Sequence, residues 1–282
     1  MTAAPDQLEP GVLRLTANNP SPFTSTGTQS YVVGTRDVAV IDPGPAGDAE
    51  HLAALLRAVD GRPLVAILCT HTHRDHSPLA RDLKTATGAP IVGCAPLALD
   101  DGGPRVDASF DGEHAPDRVL ADGESVGGDG WTLTAVATPG HTSNHLCFAL
   151  PTSGALFSGD HVMGWSTSIV SPPDGDMGDY MASLETLLGR DDRVYYPGHG
   201  PQVDNPRRLV RSMMGHRKAR EGAILRLVAS GEGDVGAMVG RMYVGVDPRM
   251  HPAAARSVLA HLLDLRRRGL VTGEEGGTWA SA

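Results

Sequence analysis

The chain reads as short apolar segments that stop abruptly at polar clusters. Tyr31–Val33, Val38–Asp42, Leu64–Cys69, Pro90–Cys94, Trp131–Ala137, His145–Leu150, Ala155–Gly159 and Arg193–Tyr196 have the length and the β-branched or aromatic content of strands. Between them, Asp48–Val59, Ser77–Thr87 and Tyr180–Leu188 place apolar residues at spacings of three and four, the period of amphipathic helices. The segments end in IDPG, CTHTHRDH, TPGH, FSGD and YYPGHG. Apolar strands that stop at such clusters are the pattern of a sheet whose loops carry the chemistry. Residues 96–130, dominated by Gly, Asp and Pro, break the rhythm and predict a long loop with one short strand, either a lid or a decoration.

After Gly200 the texture changes. Arg207–Ala229 predicts a long basic amphipathic helix, Asp234–Tyr243 a shorter one capped by Asp234, and Pro252–Arg268 a third closed by Gly269. Two β-prone pieces around a Gly-rich turn follow, in LVTGEEGGTWA. Three helices and a hairpin are the order of a winged helix. The charge agrees with a division into residues 1–204 and 205–282. The first part holds 11 Lys+Arg against 26 Asp+Glu, or −15, and the second 13 against 7, or +6, closing on the total of −9. The acidic part repels nucleic acid, and the basic part is expected to dock on it.

The 282 residues are 40% hydrophobic and 20% charged, which supplies a sizeable core and excludes wholesale disorder. Gly and Pro number 35 + 21 = 56, too many for a helical bundle. No apolar run reaches the roughly 18–20 residues that span a bilayer. The start, MTAAPDQLEP, lacks the basic and apolar regions of a signal peptide. Cys69, Cys94 and Cys147 form no CxxC, and their odd number predicts free thiols in a reducing, cytoplasmic setting.

Thr70-His71-Thr72-His73-Arg74-Asp75-His76 carries three imidazoles and a carboxylate directly after an apolar strand. Those ligand types suit zinc, manganese or iron. Three further strand ends finish in a ligand type beside glycine: Gly140-His141, Gly159-Asp160 and Gly198-His199. Together the four elements resemble the metallo-β-lactamase fold superfamily, in that family's order from His71 to His199. The resemblance covers most of residues 10–204. It implies an α/β fold, the αββα sandwich, with a metal site at one edge of its two sheets. It implies that His71, His73 and His141 hold a first metal, that Asp75, His76 and His199 hold a second, and that Asp160 bridges them.

The expected cofactors are therefore two divalent ions, zinc first, with manganese or iron as alternatives. Two such ions lower the pKa of bound water to about 7, so a metal-bound hydroxide is available as nucleophile. Asp75 is the candidate to orient it or to shuttle its proton.

Asn19-Pro20-Ser21-Pro22-Phe23-Thr24, Gly27-Thr28-Gln29-Ser30-Tyr31 and His216-Arg217-Lys218-Ala219-Arg220-Glu221, with a terminal winged helix, resemble the lactamase-beta-two-like subfamily. That subfamily lies close to glyoxalase II in its catalytic domain and includes nucleases of single-stranded RNA. The resemblance implies a hydrolase of esters, thioesters, lactones or phosphodiesters. Its partner is a small-molecule substrate or single-stranded RNA, with no membrane, and a homodimer is compatible. Persulfide dioxygenases, which use one iron, resemble the same pattern, and a nucleic-acid-binding protein is the remaining alternative.

Around the motifs, His145 is expected to support a ligand and His161 to point away. Asp42 is expected to hydrogen-bond a ligand histidine or a turn, and Cys69 and Cys147 to be core thiols. Asp111, Glu113 and His114 are expected to be solvated. Arg266–Arg268 are expected either to offset a helix dipole or to contact phosphate.

Overall fold

The computed structural model describes residues 5–97 and 110–282. Seven strands form one sheet in the order β1 to β7: Asp6–Glu9, Val12–Thr16, Gln29–Val33, Val38–Ile41, Leu64–Cys69, Ile91–Gly93 and Arg118–Val119. The first four are antiparallel, and β4 to β7 are parallel. A second sheet has the order β12-β11-β10-β9-β8, from β8 (Ser125–Gly128), β9 (Trp131–Ala137), β10 (Leu146–Leu150), β11 (Ala155–Gly159) and β12 (Val194–Pro197).

Period-two alternation decides the layers. Leu146, Phe148 and Leu150 of β10 join the core shared with the first sheet, whereas Cys147 and Ala149 face outward onto the next layer. Phe157 against Leu156, and Val194 and Tyr196 against Tyr195, divide in the same way. Helices α1 (Ala49–Val59) and α2 (Ala80–Thr87) cover the first sheet. Helix α3 (Met177–Leu188) and the start of α4 (Pro206–Ala229) cover the second. The result is the αββα sandwich that the resemblance implied.

Helix starts follow their caps. Asp48, Asp176 and Asn205 each accept a backbone N–H of the first turn. The Asp176 cap starts α3 three residues before the periodicity becomes visible in the sequence.

Helix α4 belongs to two cores. Val210, Met213 and Met214 pack on the sandwich, while Ile224 and Val228 pack with α5 (Val235–Met242), α6 (His251–Arg267) and Trp279. Strands β13 (Val271–Thr272) and β14 (Ala280–Ser281) complete the C-terminal winged helix.

The stretch 96–130 differs from expectation. Part of it lies outside the described residues, but its second half holds two strands, β7 and β8, that extend both sheets. Strands β1 and β2, unmarked by the sequence pattern, form the outer edge of the first sheet.

Candidate metal centre

Strand direction assembles the site. In the second sheet β9, β11 and β12 run the same way, because each is either parallel to β11 or two antiparallel steps from it. Their C-terminal ends deliver His141, Asp160 and His199. In the first sheet parallel β4 and β5 deliver Asp42 and the His71–His76 loop. All seven predicted site residues meet at this one edge.

Three donor groups result, one of which, Asp42 with His71 and His76, overlaps the other two. Of those two, His71, His73, His141 and Asp160 form one, and Asp75, His76 and His199 the other, with the donor atoms of each within 4.8 Å of one another. His73 Nδ1 lies 3.0 Å from His71 Nε2 and 3.1 Å from His141 Nε2. His76 Nε2 lies 3.2 Å from His199 Nε2. Asp75 Oδ2 sits 3.1 Å from His199 Nε2, and Asp160 reaches both groups, 3.4 Å from His76 and His199 and 3.7 Å from His141.

The far side of each ring is already engaged. His141 Nδ1 donates to Ile169 O at 2.6 Å, His199 Nδ1 to Gly27 O at 3.3 Å, and His76 Nδ1 to Asp42 Oδ2 at 3.0 Å. Thr70 Oγ1 donates to Asp42 Oδ2 at 2.7 Å and so accepts from His71 Nδ1 at 2.9 Å. With those hydrogens turned outward, four Nε2 atoms converge inward, and their lone pairs are free to ligate once His76 and His199 give up their second protons. Asp160 Oδ1, buried, has no hydrogen-bond partner. Converging lone pairs and an orphaned carboxylate oxygen fit divalent cations.

Electrostatics separates the groups. Burial pushes His71 well down and His73 to about 3, and neighbouring imidazoles add to the effect, so these two rings are neutral and ready to ligate. Burial opposes protonation of His76 and His199 as well, but Asp75 and Asp160 outweigh it, raising His76 and holding His199 at about 9. Those imidazoles in turn keep both carboxyls well below the usual range, against their own burial.

A supporting layer explains several sequence motifs. His145 accepts from the Asp160 backbone N–H at 3.2 Å while its other nitrogen meets Thr138 Oγ1 at 2.8 Å. His161 points the other way, its ring 4.6 Å from Tyr180. Asp42, in a left-handed conformation (φ 47°), spends its oxygens on Thr70 and His76, so it positions rather than ligates. The stretch 27–31 is a brace. Thr28 Oγ1 donates to Asp75 at 3.1 Å, Gln29 donates to Gly198 O and Gly200 O, and Tyr31 Oη lies 2.6 Å from Pro197 O.

Two glycines permit the packing. A Cβ on Gly198 would lie 2.5 Å from Asp160 Oδ1 and 2.6 Å from His76 Cε1, and one on Gly140 would lie 2.3 Å from the Tyr180 backbone. Ile169 O and Gly27 O, which hold two of the rings, are backbone groups that no side-chain pattern marks.

Asp111 and His114 correct an expectation. Both are buried, because the turn they occupy packs under the histidine loop. Asp111 accepts from Arg81 at 2.7 Å and Ser77 at 3.0 Å, its N–H donates to Thr72 O, and His114 meets Cys94. Glu113 is solvated as expected, with 81% of its side chain exposed. Cys69, Cys94 and Cys147 are buried and unpaired. Arg267 pairs with Asp176, Arg268 with Glu221, and Arg266 lies over Trp279, so all three have partners within the chain.

Comparison with known proteins agrees with the geometry. Residues 24–199 match the family described as the metallo-β-lactamase superfamily, and residues 235–279 the β-lactamase-associated winged helix domain. A β-lactamase-like protein 2 homolog of Caenorhabditis elegans is 32% identical over 80% of this chain and 74% of its own length. The thioesterase pkgB of Emericella nidulans is 31% identical over 79% of this chain and 61% of its own. An atrochrysone carboxyl ACP thioesterase of Aspergillus fumigatus is 31% identical over 78% of this chain and 65% of its own. In fold, a β-lactamase domain protein of Burkholderia ambifaria superimposes with a TM-score of 0.81 at 23% identity, covering 100% of this chain and 95% of that one.

Proposed function

The chain belongs to the metallo-β-lactamase superfamily and is a hydrolase of it, and on that premise we propose that it is a two-metal hydrolase of thioesters or related acyl esters. The observation that carries the proposal is the sharing of Asp160 between two complete donor groups. The thioesterases among the relatives favour an acyl substrate over a phosphodiester. Bound here, divalent cations supply Lewis acidity toward a carbonyl oxygen and bring water to a pKa near 7.

The chain's own residues do the rest. His71 and His73, neutral at pH 7, would hold one ion together with His141. His76, His199 and Asp75 hold the other. Asp75 is 16% exposed and fastened by Thr28, so it faces the cleft as a proton acceptor beside the reacting centre. Among the described residues no helix is long and apolar enough to cross a membrane. The three unpaired thiols support a reducing, cytoplasmic setting as part of this proposal.

The test is metal analysis of purified protein joined to a panel of thioesters, lactones and single-stranded RNA. About two zinc or manganese ions per chain with thioester turnover is the expected result. About one iron, with oxygen uptake on a persulfide, would replace the hydrolase by a dioxygenase. A metal-loaded protein inert toward every member of the panel would overturn the proposal.

A further inference from the structure

A cavity of about 350 Å³ lies between the sandwich and the winged helix. One wall is the segment that begins just after Asp160 and ends at Ile169, whose carbonyl holds His141. Trp165 on that segment packs against Gly200, next to His199. The cavity thus lies beside residues that support both donor groups, although no donor residue lines it. Phe23, Trp165, Tyr243, Met163 and Met250 make its lining chiefly apolar and aromatic.

Two cations interrupt that lining. Arg217 is only 4% exposed. It donates to Ser168 O and lies over the Tyr180 ring at 5.1 Å, while its Nε is buried without a partner. Arg220, one turn on, stacks over Tyr243 at 4.3 Å and donates to Met242 O at 2.8 Å. Among the described residues neither forms an ion pair with a carboxylate. The neighbouring arginines do: Arg241 with Glu232, Arg256 with Glu275, Arg267 with Asp176 and Arg268 with Glu221. A guanidinium taken out of water without a counter-charge is costly, and an anionic ligand removes that cost.

We propose that this cavity receives the acyl half of the substrate and selects a flat, apolar acyl group that ends in a carboxylate, with Arg220 as the specificity-determining residue. This rests on the acyl-hydrolase reading above. Arg217 supplies positive potential at the base of the cavity, and Arg220 offers the planar fork that matches a carboxylate. The aromatic rings supply faces for a ring to stack on. A space of this size with a chiefly apolar, aromatic lining suits one ring system. A second cavity at Gly200, with Arg14, Asn18, Ser25 and Thr26 in its lining, is more polar and suits the leaving arm.

The experiment uses full-length, metal-loaded protein and N-acetylcysteamine thioesters of 4-carboxybenzoic and 6-carboxy-2-naphthoic acids, each beside its methyl ester. Wild type is expected to prefer the free acids by about tenfold in kcat/KM, through KM, as a charge-assisted contact predicts. Arg220→Gln should lower kcat/KM for the free acids more than for the methyl esters and so remove that preference, and Arg220→Lys should restore part of it. Equal losses on acids and methyl esters, or no preference in wild type, would overturn the proposal while leaving the hydrolase standing. If no thioester is turned over, calorimetric binding of the free dicarboxylic acids decides separately: Arg220-dependent binding sustains the cavity assignment, and its absence, or displacement of the acids by single-stranded RNA, refutes it.

Discussion

Asp42→Asn is the most informative single change at the donor cluster. Its carboxylate receives Thr70 N at 2.8 Å, Thr70 Oγ1 at 2.7 Å and His76 Nδ1 at 3.0 Å. An amide keeps one oxygen. With that oxygen on Thr70 N, the new NH₂ faces Thr70 Oγ1 and the His76 Nδ1–H as a donor. His76 must then carry its hydrogen on Nε2, pointing at His199. Thr70 Oγ1, now accepting from the amide, turns its own hydrogen onto His71 Nδ1 and inverts that ring too. One atom exchange therefore blocks a lone pair in each donor group. The backbone is not at issue, because Asn tolerates the left-handed conformation that Asp42 adopts. Loss of such a supporting acceptor costs about 10–100-fold in metal affinity, or about 1.4–2.7 kcal/mol. Zinc affinity by chelator competition, with ¹⁵N NMR of the histidine tautomers, measures both halves of the argument. A variant that binds both ions within about threefold of wild type, with His76 still protonated at Nδ1, would refute it.

Four further outcomes are expected. Gly198→Ala forces a methyl group into Asp160 and His76, and should cost about 1–3 kcal/mol in denaturant unfolding as well as weakening metal retention. Metal titration of apoprotein at pH 7.5 by calorimetry in buffers of different ionisation enthalpy should show protons released from His76 and His199, whose pKa values are raised, and none from His71 and His73, whose values are lowered; affinity at the second group then falls as pH drops below about 9. The metal-free fold should melt highest near the ordinary imidazole pKa of about 6.5. On the acid side, burial holds His73, His161 and His261 at about 3, so their stabilisation is present above the unfolded value and is lost as pH falls toward 3. On the alkaline side, the stabilisation from His199 is present below the unfolded value and is lost as pH rises through about 9. Arg267→Ala removes an ion pair whose arginine side chain is 54% exposed, and should cost at most about 1 kcal/mol by thermal unfolding.

What the sequence disclosed about the site follows from how each residue acts. Residues that act through side-chain chemistry were legible: an imidazole or carboxylate at a strand end has few other uses, and seven of them in a fixed order mark an edge. Residues that act through the backbone were not. Gly27 O and Ile169 O hold His199 and His141, and any amino acid has a carbonyl. Thr70 carries no ligand chemistry of its own, yet it passes the Asp42 acceptor on to His71. Asp111 and His114 misled for a related reason. A turn rich in Asp and Gly reads as solvated, and only the fold shows that this one packs beneath the histidine loop. The edge strands β1, β7 and β8 are partly exposed and carry little apolar periodicity, so pattern could not separate them from loop.

The charge reversal along the chain acquires a specific meaning in three dimensions. A basic C-terminal module beside an acidic domain invites a nucleic-acid reading, but several of its arginines are engaged within the chain. Arg267 reaches Asp176, the cap of α3, and Arg256 reaches Pro172 O and Ser171 Oγ, so both tie the winged helix to the loop that leads from Ile169. Arg217 reaches Ser168 O in the same segment. That segment starts at Asp160 and holds His141 through Ile169, so the C-terminal domain fastens the loop on which the bridging carboxylate and a first-group histidine depend. Cations committed in this way are withdrawn from phosphate binding. Arg217 and Arg220, which form no carboxylate ion pair among the described residues, line the chiefly apolar cavity instead. The basic module thus braces one wall of the cavity, and on the acyl-site proposal it leaves two positive charges there for a substrate carboxylate.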